Sequence, residues 1–469
     1  MNLNVRTLRA LYGRGPSFMQ RDAFYQKSMA YGKKQISTVL GSKKFNYNKK
    51  IVIVGAGLSG LLCGWILNNM GYKVKILESR QRPGGRVHTI TNNNKIYEAG
   101  AEHIGLNHPL LLYFFNYFNL PLQMSSSVNT EYMPNLIHNK ISINGYDVDI
   151  MELPIIEDQI NKILEKISYD SQKINNAAEP WNEPNFLRNL DKVSLKDKFD
   201  EWNFHGKARI ILEKQFEFDN LGNIDTQSYL GLLCQIKGDG FINPKYYWDI
   251  VESLKCVNGN QSLAKFLAYK LDIEYNSSVN SIKYDNDNIC VITTNSYYFA
   301  DNVVITVPPS VWNDITFNPT IDLSKIKPAM GSAIKILFDN NNKITTKKEK
   351  NLFTHFDDMA IFIGGGCATK ESAMNYIEEL NDTNENKTGP NNSMVIDWPN
   401  EKYTNTGYSY PQVNKCITIN KELYYPIINY NNRLIFGGEH TQLNYVGFME
   451  GALQSGLRIA KTIIDLYKY

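Results

Sequence analysis

Lys50-Ile51-Val52-Ile53-Val54 is a short β-branched run that breaks off at Gly55-Ala56-Gly57-Leu58-Ser59-Gly60. A run of this kind reads as a buried parallel strand, apolar on both faces. Leu58, Leu61, Leu62, Trp65 and Ile66 follow at i, i+3, i+4, i+7 and i+8, the apolar stripe of a helix, and Gly71 supplies its stop. Lys73 to Leu77 reads as a second strand, closed by Glu78. Strand, glycine turn, helix, strand and terminal acid in that order predict a βαβ unit that binds a dinucleotide. Gly55 permits the tight turn, Gly57 lets the backbone approach a pyrophosphate, and Gly60 lets the helix pack close to the strand. Unpaired N–H groups and the helix dipole favour phosphate at the helix N-terminus, and the Glu78 carboxylate can accept from ribose hydroxyls. The bland alternative is a glycine turn that binds nothing, and the fingerprint does not separate NAD from FAD.

Composition removes several other classes. With 469 residues the chain has room for two to four domains or one large composite, and for a substantial core. Its six cysteines, at 63, 234, 256, 290, 367 and 416, include no Cys-x-x-Cys pair, so neither a disulfide scaffold nor a zinc module is expected, and no metal. No apolar run approaches the roughly 20 residues of a membrane helix, and no h-region opens the chain. The net charge of +3 hides an asymmetry: residues 1–50 carry eleven Lys/Arg against Asp22 alone, so the remaining 419 residues sum to −7. An acidic body gives no support to nucleic-acid binding. In the basic arm, 1–48, Val5, Leu8 and Tyr12 are spaced as on a helix among Arg6, Arg9 and Arg14, a pattern compatible with organelle targeting. The ordinary reading is an arm wrapped on the body, a role at a homodimer interface is a further alternative, and a cytoplasmic location is the default expectation.

Residues 111–245 are aromatic-rich with helical patterning, and 271–307 read as strands. The low-complexity stretch 381–393 reads as an exposed loop.

After Glu78 comes Ser79-Arg80-Gln81-Arg82-Pro83-Gly84-Gly85-Arg86, and here the chain resembles the flavin-containing amine oxidase superfamily, whose members follow the ribose-binding acid with a Gly-Gly-Arg turn. Gly84 and Gly85 allow close backbone approach to the cofactor, and Arg86 can neutralise diphosphate charge. Further segments resemble the family in its own order: Tyr97-Glu98-Ala99-Gly100-Ala101-Glu102-His103, Asn258-Gly259-Asn260-Gln261, Val279, Phe436-Gly437-Gly438-Glu439-His440-Thr441 and Gly447-Phe448-Met449-Glu450-Gly451. The resemblance implies FAD held by Gly55, Gly57, Ser59, Gly60, Glu78, Arg80, Gly84, Gly85, Arg86, Gly100, Ala101, Glu102, Val279, Gly438, Glu439, Phe448 and Met449. Glu439 is expected at hydroxyls of the flavin chain, Val279 at adenine through its backbone, and Met449 at a helix N-terminus facing the ring. The implied fold is α/β: a discontinuous Rossmann-type FAD-binding domain (49–110, 246–309 and 432–469) plus an α+β substrate-binding domain (111–245 and 310–431).

Lys335 lies in the apolar run Ala333-Ile334-Lys335-Ile336-Leu337, where an unpaired ammonium is costly, so it requires a partner unless it snorkels from an edge strand. By resemblance it holds a water against flavin N5. Trp398 and Tyr408 resemble one wall of the family's aromatic cage and Phe448 the other, the alternative being plain core. Two positions depart from family patterns. Gly407 stands where members with covalent flavin place cysteine, which predicts non-covalent FAD. His103 stands where many L-amino-acid oxidases place a carboxylate-clamping arginine, which weakens the amino-acid reading without removing it. The expected activity is removal of hydride from the carbon bearing an amine, with O2 as electron acceptor. The substrate is a small amine or, alternatively, an α-amino acid. A carbon–carbon desaturase and a non-catalytic FAD-bound protein are the remaining readings.

Overall fold

Residues 2–3, 17–41, 48–92, 94–125, 140–143, 146–238, 240, 247–285, 288–338, 353–357, 360–365, 368–382 and 393–468 are described here, from a computed structural model. Five strands form one parallel sheet: β1 (Lys50–Val54), β2 (Lys73–Leu77), β3 (Asp272–Glu274), β4 (Asn302–Ile305) and β5 (Leu434–Phe436). Their order is β3-β2-β1-β4-β5, every pair parallel, so three distant parts of the chain build one Rossmann-type sheet. The strands alternate between two cores. Ile51 and Ile53 of β1 pack into one core and Val52 and Val54 into the other, and each is nearly inaccessible to water. Burial on both faces is why β1 reads as a continuous apolar run, each side chain contributing about 1.5–3 kcal/mol.

The helices that frame the site are α1 (Phe18–Leu40), α2 (Leu58–Asn69), α3 (Pro109–Tyr117), α4 (Leu153–Gln172), α5 (Gly206–Asn220), α6 (Tyr229–Gly238) and α7 (Met449–Leu466). The helix expected after the fingerprint is α2, and the chain leaves it through Gly71 at φ +94°. On its outer side lies α7: a Cβ on Gly456 would stand 2.5 Å from the Ser59 carbonyl oxygen, and the Ser59 and Ser455 hydroxyls are 2.7 Å apart. The opposite face of the parallel sheet is covered by a second sheet, ordered 297–300, 288–293, 279–285, 316–318, with Trp312 buried between them.

A third sheet, ordered 353–357, 360–364, 333–337, 394–397, is antiparallel throughout. It places Lys335 on an interior strand, so the edge-strand alternative does not apply. The described residues of 111–245 are mainly helical, with α4, α5 and α6 packed around Ile160, Leu164, Ile211, Leu212, Leu230 and Leu233.

Part of the basic arm is an element of the fold. Ser17 and Gln20 form a capping box that starts α1, and α1 lies across α3, where a Cβ on Gly32 would meet the Pro109 carbonyl oxygen at 2.1 Å. Ile36 is buried there, and the side-chain amides of Gln35 and Gln454 of α7 bond to each other at 3.0 and 3.3 Å. The segment Val5–Tyr12 and residues 383–392 of the low-complexity stretch lie outside the described residues. Among the described residues, no helix is long and apolar enough to cross a membrane.

Candidate active site

One cavity of about 290 Å3 runs from the fingerprint turn to the third sheet. At its first end Gly57 is the N-cap of α2, and no side chain caps the helix's first turn. A Cβ on Gly57 would meet nothing within 4 Å, whereas on Gly60 it would stand 2.2 Å from the Gly55 carbonyl oxygen. Gly57 therefore leaves open space above the helix N-terminus, the shape and polarity a diphosphate needs, while Gly60 closes the turn beneath it. The second glycine turn faces the first. Gly84 and Gly85 have φ of +112° and +58°, a conformation that favours glycine, and the Gly84 N–H donates to the Ala56 carbonyl at 2.8 Å.

Glu78 is buried at the end of β2 and accepts from the N–H groups of Ala56 (2.7 Å) and Arg80 (2.9 Å). The Arg80 guanidinium reaches the Glu401 carboxylate and, at 2.7 Å, the Thr404 hydroxyl. Arg86 donates to the Gly407 carbonyl at 2.9 Å and to Glu439 Oε1 at 2.7 Å. The N–H groups of Ser409 (3.2 Å) and Gly447 (2.8 Å) and the Ser409 hydroxyl also donate to the Glu439 carboxylate. Burial pushes the Glu439 carboxyl up, but the Arg86 charge and these bonds together hold it below the ordinary carboxylate range. Glu439 thus fastens the Gly-Gly-Arg turn to the C-terminal signature, and the hydroxyls expected of the flavin chain are not needed to account for its carboxylate.

At the other end of the cavity Lys335 is buried, and its ammonium donates to Glu102 Oε2 at 2.6 Å and to the Glu98 carbonyl at 3.0 Å. The partner required by the sequence is Glu102, counted there among residues that hold the cofactor. Asn260 fixes this turn: its side-chain amide donates to the carbonyls of Ala101 (3.1 Å) and Glu102 (2.8 Å), and its N–H to Glu98 Oε1 at 2.6 Å. Gln261 ties the other glycine turn, donating to the Pro83 carbonyl at 2.8 Å. The Asn258–Gln261 motif therefore joins two walls of the cavity.

Tyr408 and Phe448 are half-buried and line the cavity, as do Trp398 and His103. The Trp398 indole donates to the Ala99 carbonyl at 2.9 Å and is nearly inaccessible, so it serves the core as well as the wall. The Tyr408 hydroxyl donates to the Asp219 carbonyl at 3.1 Å. Burial first, then the charges of Asp219, Glu252 and Glu439, push its phenol well above the ordinary value, so it stays protonated. Phe448 rests against the His108 ring at 5.2 Å. Burial pushes His108 down to about 3, so its imidazole is neutral and its Nδ1 accepts from the Gly105 N–H at 2.9 Å.

The cavity thus gathers Gly55, Gly57, Ser59, Glu78, Arg80, Gly84, Gly85, Arg86, Gly100, Ala101, Glu102, Gly438, Glu439, Phe448 and Met449. Gly60 lies under the turn, and Val279 does not line the cavity: its side chain packs into the core behind the parallel sheet. Sequence reasoning missed Asp219, at the end of α5, and Glu252, which line the substrate end with Phe218, Gln235 and Phe362. An acid on a polar helix such as α5 carries no motif that marks it. A substrate carboxylate would call for a Lys or Arg at this end of the cavity. Among the described cavity residues the arginines are Arg80 and Arg86, both on the glycine-turn side, and the helical region 111–245 contributes Asp219 instead.

A Cβ on Gly407 would stand 2.8 Å from that of Ala333 and 3.0 Å from the Gly331 carbonyl oxygen, so the site has no room for the cysteine of a covalent linkage at this position. Two glycine turns, an uncapped helix N-terminus and a buried acid at the second strand fit FAD.

Comparison with known proteins agrees. Residues 58–355 and 368–464 match the family described as flavin containing amine oxidoreductase. Lysine-specific histone demethylase 1 homolog 2 of Arabidopsis thaliana is 24% identical over 89% of this chain and 59% of its own length. The chain spans little more than half of that protein and of homolog 1, of which 52% is covered. Polyamine oxidase 4 of Oryza sativa subsp. japonica is 23% identical over 87% of both chains. L-amino-acid oxidase BmooLAAO-I of Bothrops moojeni is 22% identical over 94% of this chain and 93% of its own. Among solved structures, putrescine oxidase bound to putrescine superposes with a TM-score of 0.70 at 18% identity, covering 89% of this chain and 99% of that one. The dinucleotide fold, the FAD cradle and a match over most of the chain converge: the protein belongs to the flavin-containing amine oxidoreductase family and uses FAD.

Proposed function

We propose that the protein is an FAD-dependent oxidase of amines that carry no carboxylate. The observation that carries this reading is the sign of charge at the substrate end of the cavity. Asp219 and Glu252 line it, while each Lys or Arg among the described lining residues already has a carboxylate partner: Lys335 with Glu102, Arg80 with Glu401 and Arg86 with Glu439. A substrate carboxylate placed there finds no free guanidinium fork among the described residues and forgoes charge-assisted bonds of about 1.5–3 kcal/mol.

When bound, FAD supplies a two-electron acceptor for the hydride on the carbon bearing a neutral amine. Tyr408 and Phe448 flank the amine and exclude water, and the protonated Tyr408 hydroxyl stays tied to the Asp219 carbonyl. Hydrolysis of the resulting imine consumes one water and releases a carbonyl compound with ammonia or an amine. O2 takes up the two electrons and two protons as H2O2. The relatives include polyamine oxidases and L-amino-acid oxidases alike, so substrate choice rests on this cavity.

The test compares each of several α-amino acids with the amine left when its carboxylate is removed. The amine is expected to have the higher kcat/KM by roughly 100-fold, the equivalent of about 3 kcal/mol. Turnover of amino acids with none of the matching amines would overturn the reading.

A further inference from the structure

Glu102 does more than neutralise Lys335. Its Oε2 accepts from Lys335 at 2.6 Å, while its Oε1 is 2.9 Å from the ammonium of Lys255, on the strand Leu254–Cys256. All three side chains are largely buried, at 7%, 11% and 17% exposure for Lys335, Glu102 and Lys255. One carboxylate therefore bridges two ammonium groups, of which Lys335 faces the cavity and Lys255 stands behind it. The Asn260 amide bonds to the Ala101 and Glu102 carbonyls set where the bridge stands. A buried bridge of this kind is geometrically demanding, because removing the shared carboxylate leaves two like charges facing each other.

We propose that Glu102 is a positioning residue, which holds Lys335 at the cavity wall and, shared with Lys255, sets the charge that the cofactor meets there. The inference rests on the reading that FAD lies along the wall formed by Gly100, Ala101, Glu102 and Lys335. Electrons arriving on the flavin add negative charge, so fixed positive charge nearby favours the reduced form and fixed negative charge disfavours it. Removing the carboxylate and removing the hidden ammonium must then act in opposite directions.

The experiment is an anaerobic redox titration of the holoenzyme against a reference dye, comparing wild type with Glu102→Gln and Lys255→Met. Neither amine turnover nor knowledge of the substrate is required. Glu102→Gln is expected to shift the midpoint potential of bound FAD upward and Lys255→Met to shift it downward. A purely structural role would give no such opposition of sign. Potentials indistinguishable from wild type, or shifts of the same sign in both variants, would overturn the proposal. If Glu102→Gln does not retain FAD, Lys255→Met decides alone: an unchanged or raised potential overturns it. Failure of the wider functional reading is recognised separately, as FAD-loaded wild-type protein that no amine reduces.

Discussion

Replacing Gly57 and Gly60 by alanine, one at a time, separates cofactor binding from folding within a single turn. At Gly60 the added methyl would stand 2.2 Å from the Gly55 carbonyl oxygen, 2.8 Å from the Thr306 hydroxyl and 3.1 Å from Ile53 Cγ2. Carbon and oxygen come no closer than about 3.3 Å, so the turn must open by about 1 Å against a packed strand. Overpacking of this kind costs about 1–3 kcal/mol. At Gly57 the methyl meets nothing within 4 Å, and φ −74° with ψ 173° is extended backbone open to alanine. Losing glycine from the N-cap costs under about 1 kcal/mol. The same methyl fills the space above the first turn of α2, where a diphosphate must come to accept from its N–H groups. Each charge-assisted bond lost there weakens binding by about 1.5–3 kcal/mol, roughly 10- to 150-fold. Denaturant melts of FAD-stripped protein and titration with FAD read the two effects apart. Gly60→Ala should lower the melt midpoint, and Gly57→Ala should melt nearly as wild type but bind FAD at least tenfold more weakly. A Gly57→Ala protein with wild-type FAD affinity would refute the placement of the diphosphate.

Arg86→Met should destabilise the fold by about 3–5 kcal/mol in denaturant, because Glu439 is left buried without its cation, and Arg86→Lys should recover part of that loss. Glu450 staples α7 to α3 by accepting from the N–H groups of Leu110 (3.1 Å) and Leu111 (2.9 Å), and burial outweighs its hydrogen bonds to raise its carboxyl to about 7. The folded state thus keeps a proton that the unfolded chain releases near about 4.3, so this stabilisation is complete below that pH and is lost as pH rises through about 7. The thermal midpoint of Glu450→Gln should therefore fall less steeply than that of wild type between those limits, and parallel curves would count against the assignment. Acid precipitation should leave a colourless pellet and yellow supernatant, whereas a yellow pellet would contradict non-covalent FAD.

Strands, turns and the cofactor end of the cavity were legible because the chemistry there is local. The Gly55–Gly60 spacing, the apolar stripe of α2 and the acid closing β2 each leave a pattern within a few residues, and all three stand as expected. Lys335 was legible only as a demand: an ammonium in an apolar strand needs a counter-ion, but nothing nearby in sequence names Glu102, 233 residues away. The pairing of Arg86 with Glu439, 353 residues apart, was hidden in the same way, since each residue alone also fits direct contact with the cofactor. Asp219 and Glu252 escaped notice because a carboxylate on a polar helix or in a turn gives the same signal whether it faces solvent or a cavity. Charge alone left the basic arm open between targeting and wrapping on the body, because the close approach of Gly32 to Pro109 and the burial of Ile36, which fix part of it as an element of the fold, leave no mark in its lysines and arginines.

The central claim is that an amine delivers its electrons to FAD held in this cavity. Its most direct test is the visible spectrum of the purified holoenzyme under anaerobic conditions, recorded before and after addition of amines. The flavin spectrum is expected to bleach with amines lacking a carboxylate and to return when O2 is admitted. A flavin spectrum that no amine bleaches, or that only α-amino acids bleach, would contradict it.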